Sequence, residues 1–334
     1  MSKSGKKVSK KKVFKVVLIC LAVFIVINLL GAAIGTSTSI THPSRTSYEQ
    51  VIDEMKTNDV WGNFDTYDKE DYTVTGMDGY ELHCAKISTK DTIGTGKYLI
   101  YSHGHRSNMY AASKYCDSFI ELGFTCIIYD LRDHGANAKT ICSMGGYEAV
   151  DLNCLIEDTF SRYGDVKLLG LHGESMGTST SLNALRYTDK VDFVVADCGF
   201  ESLKFMVHDM YNDMYLYPFG TCADIGFKLL YGIDTSEVSG IDALKGKGVP
   251  ILFIHGSADD WIDVENSEDM YNEAKKYAYS ELWLVEGATH ARSRQVAGAE
   301  AYKQHIEDFL VNSGVMAEYE ASIGAGDAAD AEAA

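Results

Sequence analysis

The stretch Lys167-Leu168-Leu169-Gly170-Leu171-His172-Gly173-Glu174-Ser175-Met176-Gly177 decides how this chain is read. An apolar run leads into one serine set between two glycines, and the small residues after it can continue as a helix. The pattern predicts a strand, a sharp turn with the serine hydroxyl at its apex, and a helix. The glycines let neighbouring backbone pass where a Cβ would block it. The start of the helix aims backbone N–H groups at the space where an oxyanion would form. G-x-S-x-G arises often by chance, so its context carries the argument.

Two later loops supply that context. Ile251–Ile254 is a short apolar run followed by His255-Gly256-Ser257-Ala258-Asp259, which puts a carboxylate in the loop after a buried strand. Leu282–Val285 is another such run, and Glu286-Gly287-Ala288-Thr289-His290 puts an imidazole in the loop after it. All three groups fall at the carboxyl ends of predicted strands, the edge of an open α/β sheet where ligands bind. His290 has one rival downstream of the acid, His305, which falls in the middle of a predicted helix. Asp259 has more rivals. Asp260 and Asp263 read as solvated loop carboxylates, while Asp197 ends a different strand and stays open as the alternative acid.

In the order serine, acid, histidine the chain resembles the α/β-hydrolase superfamily, in the branch of S9/S33-type peptidases and carboxylesterases. Ser102-His103-Gly104-His105 after Tyr98–Tyr101, and Asp130-Leu131-Arg132-Asp133-His134-Gly135 after Cys126–Tyr129, fit the same branch, and the likeness covers residues 70–312. Asp263 departs from it, because relatives usually carry proline after the acid loop. The resemblance implies Ser175 as nucleophile, His290 as general base, Asp259 as the group that orients it, and the backbone N–H groups of His105 and Met176 as the oxyanion hole. It implies ester hydrolysis, of acyl or lipid-like substrates, through an acyl-enzyme. Peptide or amide cleavage is the second reading, and a non-catalytic binding module of the same fold the third. His103, His134, His172 and His255 adjoin glycines or strand ends and are expected to hold loops. Asp130 and Arg132 are expected to pair with each other.

Composition narrows the rest. With 334 residues, 46% of them hydrophobic, the chain can bury one sizeable core. The formal charge of -18 argues against nucleic acid, whose partners present a basic footprint. No CxxC or Cys/His cluster has metal-ligand spacing, so no metal and no cofactor is expected. Seven cysteines lie beyond the first, Cys20, an odd number that leaves at least one unpaired, and no obligatory disulfide frame is expected.

Lysines 3, 6, 7, 10, 11, 12 and 15 precede an uncharged run from Val16 to Ile34, near the roughly 20 residues that span a bilayer. The direct reading is a membrane helix with its amino terminus cytoplasmic and the remaining chain on the outer face. A cleaved signal peptide is the alternative, but the run exceeds the roughly 7 to 15 residues of a signal core. Residues 36–66 read as a polar connector with a helix near 47–55. The hydrolase domain is expected over 67–315, opening with antiparallel strands around the Asp78-Gly79 turn and continuing as alternating strands and helices, hence a mostly parallel twisted sheet flanked by helices. Residues 200–248, rich in Met and aromatics, interrupt the alternation and read as a small helical cap over the active site. Residues 316–334 are small and acidic and are expected to be a disordered tail.

Overall fold

The computed structural model describes residues 9–212 and 214–333; Lys3, Lys6 and Lys7 of the basic amino terminus lie outside them. The chain divides into two compact units, the first made of Met1–Ser39, described from Ser9, with Val207–Asp234, and the second of Ile40–Met206 with Thr235–Ala334.

In chain order the helices are α1 (Lys10–Thr41), α2 (Tyr48–Thr57), α3 (Ser113–Glu121), α4 (Tyr147–Tyr163), α5 (Met176–Ala184), α6 (Leu203–Asn212), α7 (Tyr217–Tyr231), α8 (Gly240–Ala243), α9 (Glu265–Ala274), α10 (Ser293–Ala297), α11 (Ala299–Asn312) and α12 (Val315–Ala333). The strands are β1 (Asp68–Thr75), β2 (Glu81–Ser88), β3 (Lys97–Ser102), β4 (Thr125–Tyr129), β5 (Leu168–Glu174), β6 (Phe193–Asp197), β7 (Ile251–Gly256) and β8 (Ser280–Val285).

The second unit is an α/β-hydrolase fold. Its sheet runs in the order β1-β2-β4-β3-β5-β6-β7-β8. β1 and β2 pair antiparallel across a turn in which Asp78 and Gly79 both take positive φ, and β2 meets β4 antiparallel. From β4 to β8 every neighbouring pair is parallel. Alternation along the strands sorts side chains between two layers. Leu99, Tyr101, Ile128, Val195 and Ile254 share one buried cluster with Phe119 of α3 and Ile306 and Phe309 of α11. On the other side α5 packs on β3, β5 and β6, and against α4 and α8. Strands buried on both faces explain why the sequence shows continuous apolar runs there instead of alternation.

Three expectations change. α1 runs past residue 35 to Thr41, so the connector begins helical. Arg132 does not pair with Asp130; it makes a two-pronged contact with Asp151 at 2.8 and 2.9 Å, while Asp130 accepts from Tyr48 and from the Met109 and Ala136 amides. Both residues lie past the end of β4, where strand alternation no longer sets which side chains share a face. The chain from 316 is not a disordered tail over its first turns: α12 buries Val315 and Tyr319, four residues apart on one helix face, and the Tyr319 hydroxyl donates to the Thr95 carbonyl at 2.6 Å. Composition gave the acidic, small-residue average and hid that apolar pair.

Candidate active site

Ser175 sits between β5 and α5 with φ 55° and ψ −118°, a backbone conformation that L residues avoid and that surrounding structure must enforce. The enforcement is visible. The Ser175 amide donates to the Asp197 carbonyl at 2.9 Å, and the Thr178 hydroxyl reaches the Gly173 and Asp197 carbonyls at 2.8 Å each. A Cβ at Gly173 would lie 2.4 Å from the Gly177 carbonyl oxygen, and one at Gly177 would lie 1.9 Å from that of Ser102. Both flanking glycines are therefore fixed by space.

The three loops meet at the carboxyl edge of the sheet. His290 Nε2 lies 2.9 Å from Ser175 Oγ, and His290 Nδ1 lies 2.7 Å from Asp259 Oδ2. The other Asp259 oxygen accepts the Trp261 and Ile262 amides at 2.9 and 3.1 Å. His255 Nε2 faces Asp259 at 3.2 Å and the Ile262 carbonyl at 2.9 Å. Burial pushes the Asp259 carboxyl up, but the hydrogen bonds from His255 and His290 outweigh it and hold the group well below the usual carboxylate range. It is ionised and points one oxygen at the imidazole. Asp260 and Asp263 make no such contact.

Asp197 takes a different place. It is fully buried and receives hydroxyls from Tyr302 at 3.1 Å, Tyr115 at 3.3 Å and Ser293 at 3.3 Å. Burial, then the nearby charge of Glu174, push its carboxyl up to about 6. Glu174 accepts Tyr115 Oη at 2.5 Å and an ion pair from Lys114, whose ammonium also donates to the Ala291 carbonyl at 3.3 Å. Asp197, Glu174, Lys114, Ser293 and two tyrosines thus form a polar layer that joins the turn before Ser175 to the loop after His290. The sequence reading missed Lys114, which has no motif around it.

The loop after β3 lies beside the serine: a Cβ at Gly104 would stand 3.6 Å from Ser175 Cβ. The amides of His105 and Met176 have no protein acceptor among the described residues. The His105 ring turns away and contacts the Ile40 carbonyl at 3.0 Å. His103 accepts the Leu131 amide and His134 accepts the Arg106 amide, both at 3.0 Å, and burial pushes each imidazole down, that of His103 to about 4. His172 contacts Tyr302 Oη at 3.0 Å, and burial takes it to about 3. These rings are neutral struts.

Two clusters of possible metal donors exist among the described residues, His105/His134/Cys142 and Cys198/Asp259/His290. Several of these donors are engaged with protein groups. His134 uses both ring nitrogens on backbone groups, and His290 and Asp259 are bonded to each other. Trp261 is a second residue the sequence did not single out. It is 76% exposed and lies nearly parallel to the His290 ring with centroids 6.2 Å apart.

Fold and site together define an α/β-hydrolase, and the chain belongs to that superfamily. The family model for the alpha/beta hydrolase fold matches residues 99–221. YqkD, an uncharacterized protein of Bacillus subtilis (strain 168), is 30% identical over 296 residues, 86% of this chain and 95% of its own. Among solved structures, an esterase of Pyrococcus furiosus superposes with a TM-score of 0.63 at 21% identity, covering 82% of this chain and 98% of that one. An acylaminoacyl peptidase of Pyrococcus horikoshii does so at 0.58 and 15% identity, covering 74% and 42%.

Proposed function

We propose that the protein is a membrane-anchored serine hydrolase that cleaves carboxylic esters, with Ser175 as nucleophile, His290 as general base and then acid, and Asp259 as the group that fixes the imidazole tautomer. The observation that carries this reading is the continuous row Ser175 Oγ, His290, Asp259, with contacts of 2.9 and 2.7 Å. His290 Nε2 accepts the hydroxyl proton as Oγ attacks the acyl carbonyl, and the Asp259 carboxylate stabilises the imidazolium that forms. The tetrahedral oxyanion is received by the His105 and Met176 amides, each donor worth about 3 to 4 kcal/mol of barrier. His290 returns the proton to the leaving alcohol, and water then repeats the sequence on the acyl-enzyme.

The anchor is α1, 32 residues long and the one described helix long and apolar enough to cross a membrane. Seven lysines before and within its first turns, against Arg45 alone between it and α2, support a cytoplasmic amino terminus and an outward hydrolase unit. Acyl esters of amphiphiles are the substrate class this placement favours. Hydrolysis of short-chain and long-chain aryl esters, set beside aminoacyl amides, tests the assignment. Ester turnover at least about 100-fold above amide turnover supports it, and the reverse preference makes the protein a peptidase or amidase.

A further inference from the structure

The first unit holds an apolar surface that neither the fold nor the hydrolytic site requires. α7 buries Gly220, Ala223, Gly226 and Phe227 along one face. At Gly226 the packing is backbone on backbone, since a Cβ there would lie 1.9 Å from the Ala33 carbonyl oxygen of α1. Small residues that let two helices touch in this way are the usual means of joining helices at a membrane. Hydroxyl contacts add to this packing, Thr36 with Tyr211 of α6, and Thr38 Oγ1 with Tyr231 Oη of α7 at 2.7 Å. Ala33, Thr36 and Thr38 stand where the uncharged run from Val16 to Ile34 ends, so α7 is fastened to α1 at the level where that helix leaves a bilayer.

The opposite face of α7 carries Pro218, Thr221, Ile225 and Leu229, spaced by three, four and four residues and therefore in one stripe without a charge. Leu229 is 78% exposed and Ile225 about half. In the turn before the helix Tyr215 is 81% exposed, with Met214 and Tyr217 also open. The charges of α7 border this stripe: Asp224 pairs with His208 at 2.6 Å, and Lys228, at the edge beside Ile225, pairs with Asp234 at 2.8 Å. An amphipathic helix with aliphatic residues on one face and tyrosines at its end has the make-up of a segment that lies in a membrane interface.

We propose that α7 is an interfacial helix, lying on the leaflet from which α1 emerges, with Ile225 and Leu229 among the upper acyl chains and Tyr215 and Tyr217 at headgroup level. The occupant of the apolar stripe is phospholipid. This rests on α1 being a membrane anchor, and it adds that the insertion between β6 and β7 is itself in contact with lipid.

The test uses the full chain in phosphatidylcholine vesicles. Leu229→Trp, and Ile225→Trp as a second variant, are compared with wild type, whose own three tryptophans give the baseline. Flotation of the vesicles reports the anchor, and quenching by lipid brominated near the top of its acyl chains reports α7. The expected result is that both variants float and that most of their added fluorescence is quenched. Variants that float but whose added fluorescence is untouched overturn the proposal and leave the anchor standing, and cross-linking of such variants into dimers would assign the stripe to a second copy. Protein that stays in the aqueous fraction overturns the anchor and the proposal together.

Discussion

The ammonium of Lys114 pairs with the carboxylate of Glu174, the residue immediately before Ser175, with both side chains almost wholly buried. The same ammonium reaches the carbonyl of Ala291, the residue immediately after His290. One buried cation therefore ties together the two loops whose side chains must stay within hydrogen-bond reach. Ala291 takes a positive φ of 57°, so its loop also depends on being held.

Lys114→Met should lose about 3 to 5 kcal/mol of stability, because it leaves Glu174 charged, buried and unpaired. At a temperature where the variant is folded, its kcat should fall while KM changes little, and its pH–rate profile should move as the orientation of His290 relaxes. Lys114→Arg should recover part of the kcat. A variant that loses stability alone, with an unchanged pH profile, would make Lys114 a structural residue only. Thermal unfolding with pH-resolved steady-state kinetics distinguishes these outcomes.

Asp259 and Asp197 predict opposite pH behaviour. Asp259 is held below its unfolded value, so the stability it contributes is fully present above about pH 4 and is lost as pH falls below that. Asp197 is pushed up to about 6, so its ionisation penalises the fold, with the penalty absent below about pH 4 and complete above about pH 6. Asp197→Asn should therefore gain stability relative to wild type as pH rises from 4 to 7, whereas the deficit of Asp259→Asn should stay constant over that range and shrink as pH falls below about 4. Urea unfolding from about pH 2 to 7 reads both signs.

The same pair separates the two candidate acids. Asp259→Asn should lower kcat by about 10⁴-fold, since the wrong imidazole tautomer then faces Ser175. Asp197→Asn should keep activity within about tenfold, because its carboxylate faces Tyr115, Tyr302 and Ser293 and makes no hydrogen bond to His290. Single-turnover ester hydrolysis checks both.

Gly177→Ala should cost about 3 kcal/mol or fail to fold, because the added methyl would meet the Ser102 carbonyl at 1.9 Å on a strand with no room to shift. Trp261→Ala should leave the fold unaltered, since its ring is exposed, and raise KM for aryl esters by about two- to tenfold through loss of an aromatic contact beside His290. Soluble expression and melting temperature read the first, KM the second.

Much of this was legible in the chain because it rests on local rules. Gly173 and Gly177 bracket a turn whose strain only glycine neighbours permit, and Asp259 and His290 each follow an apolar run, so their place at the strand ends follows from the runs. The eight described strands fall where those runs and the early alternation put them. What was not legible depends on partners distant in sequence. Lys114 reads as a surface lysine until β5 brings Glu174 against it. Arg132 finds Asp151 on α4 instead of its near neighbour, and Glu265–Ala274 forms α9 although few of its side chains are apolar. Tyr319 sits in an acidic, alanine-rich segment whose average composition says nothing of the Thr95 carbonyl waiting for it.

The most direct measurement is covalent labelling of the folded full-length protein with a fluorophosphonate, followed by intact-mass and peptide mapping. One adduct per chain on Ser175, absent from Ser175→Ala and strongly slowed in His290→Ala, is the result predicted. Folded wild-type protein that takes up no probe, or labelling that survives Ser175→Ala, would contradict the account.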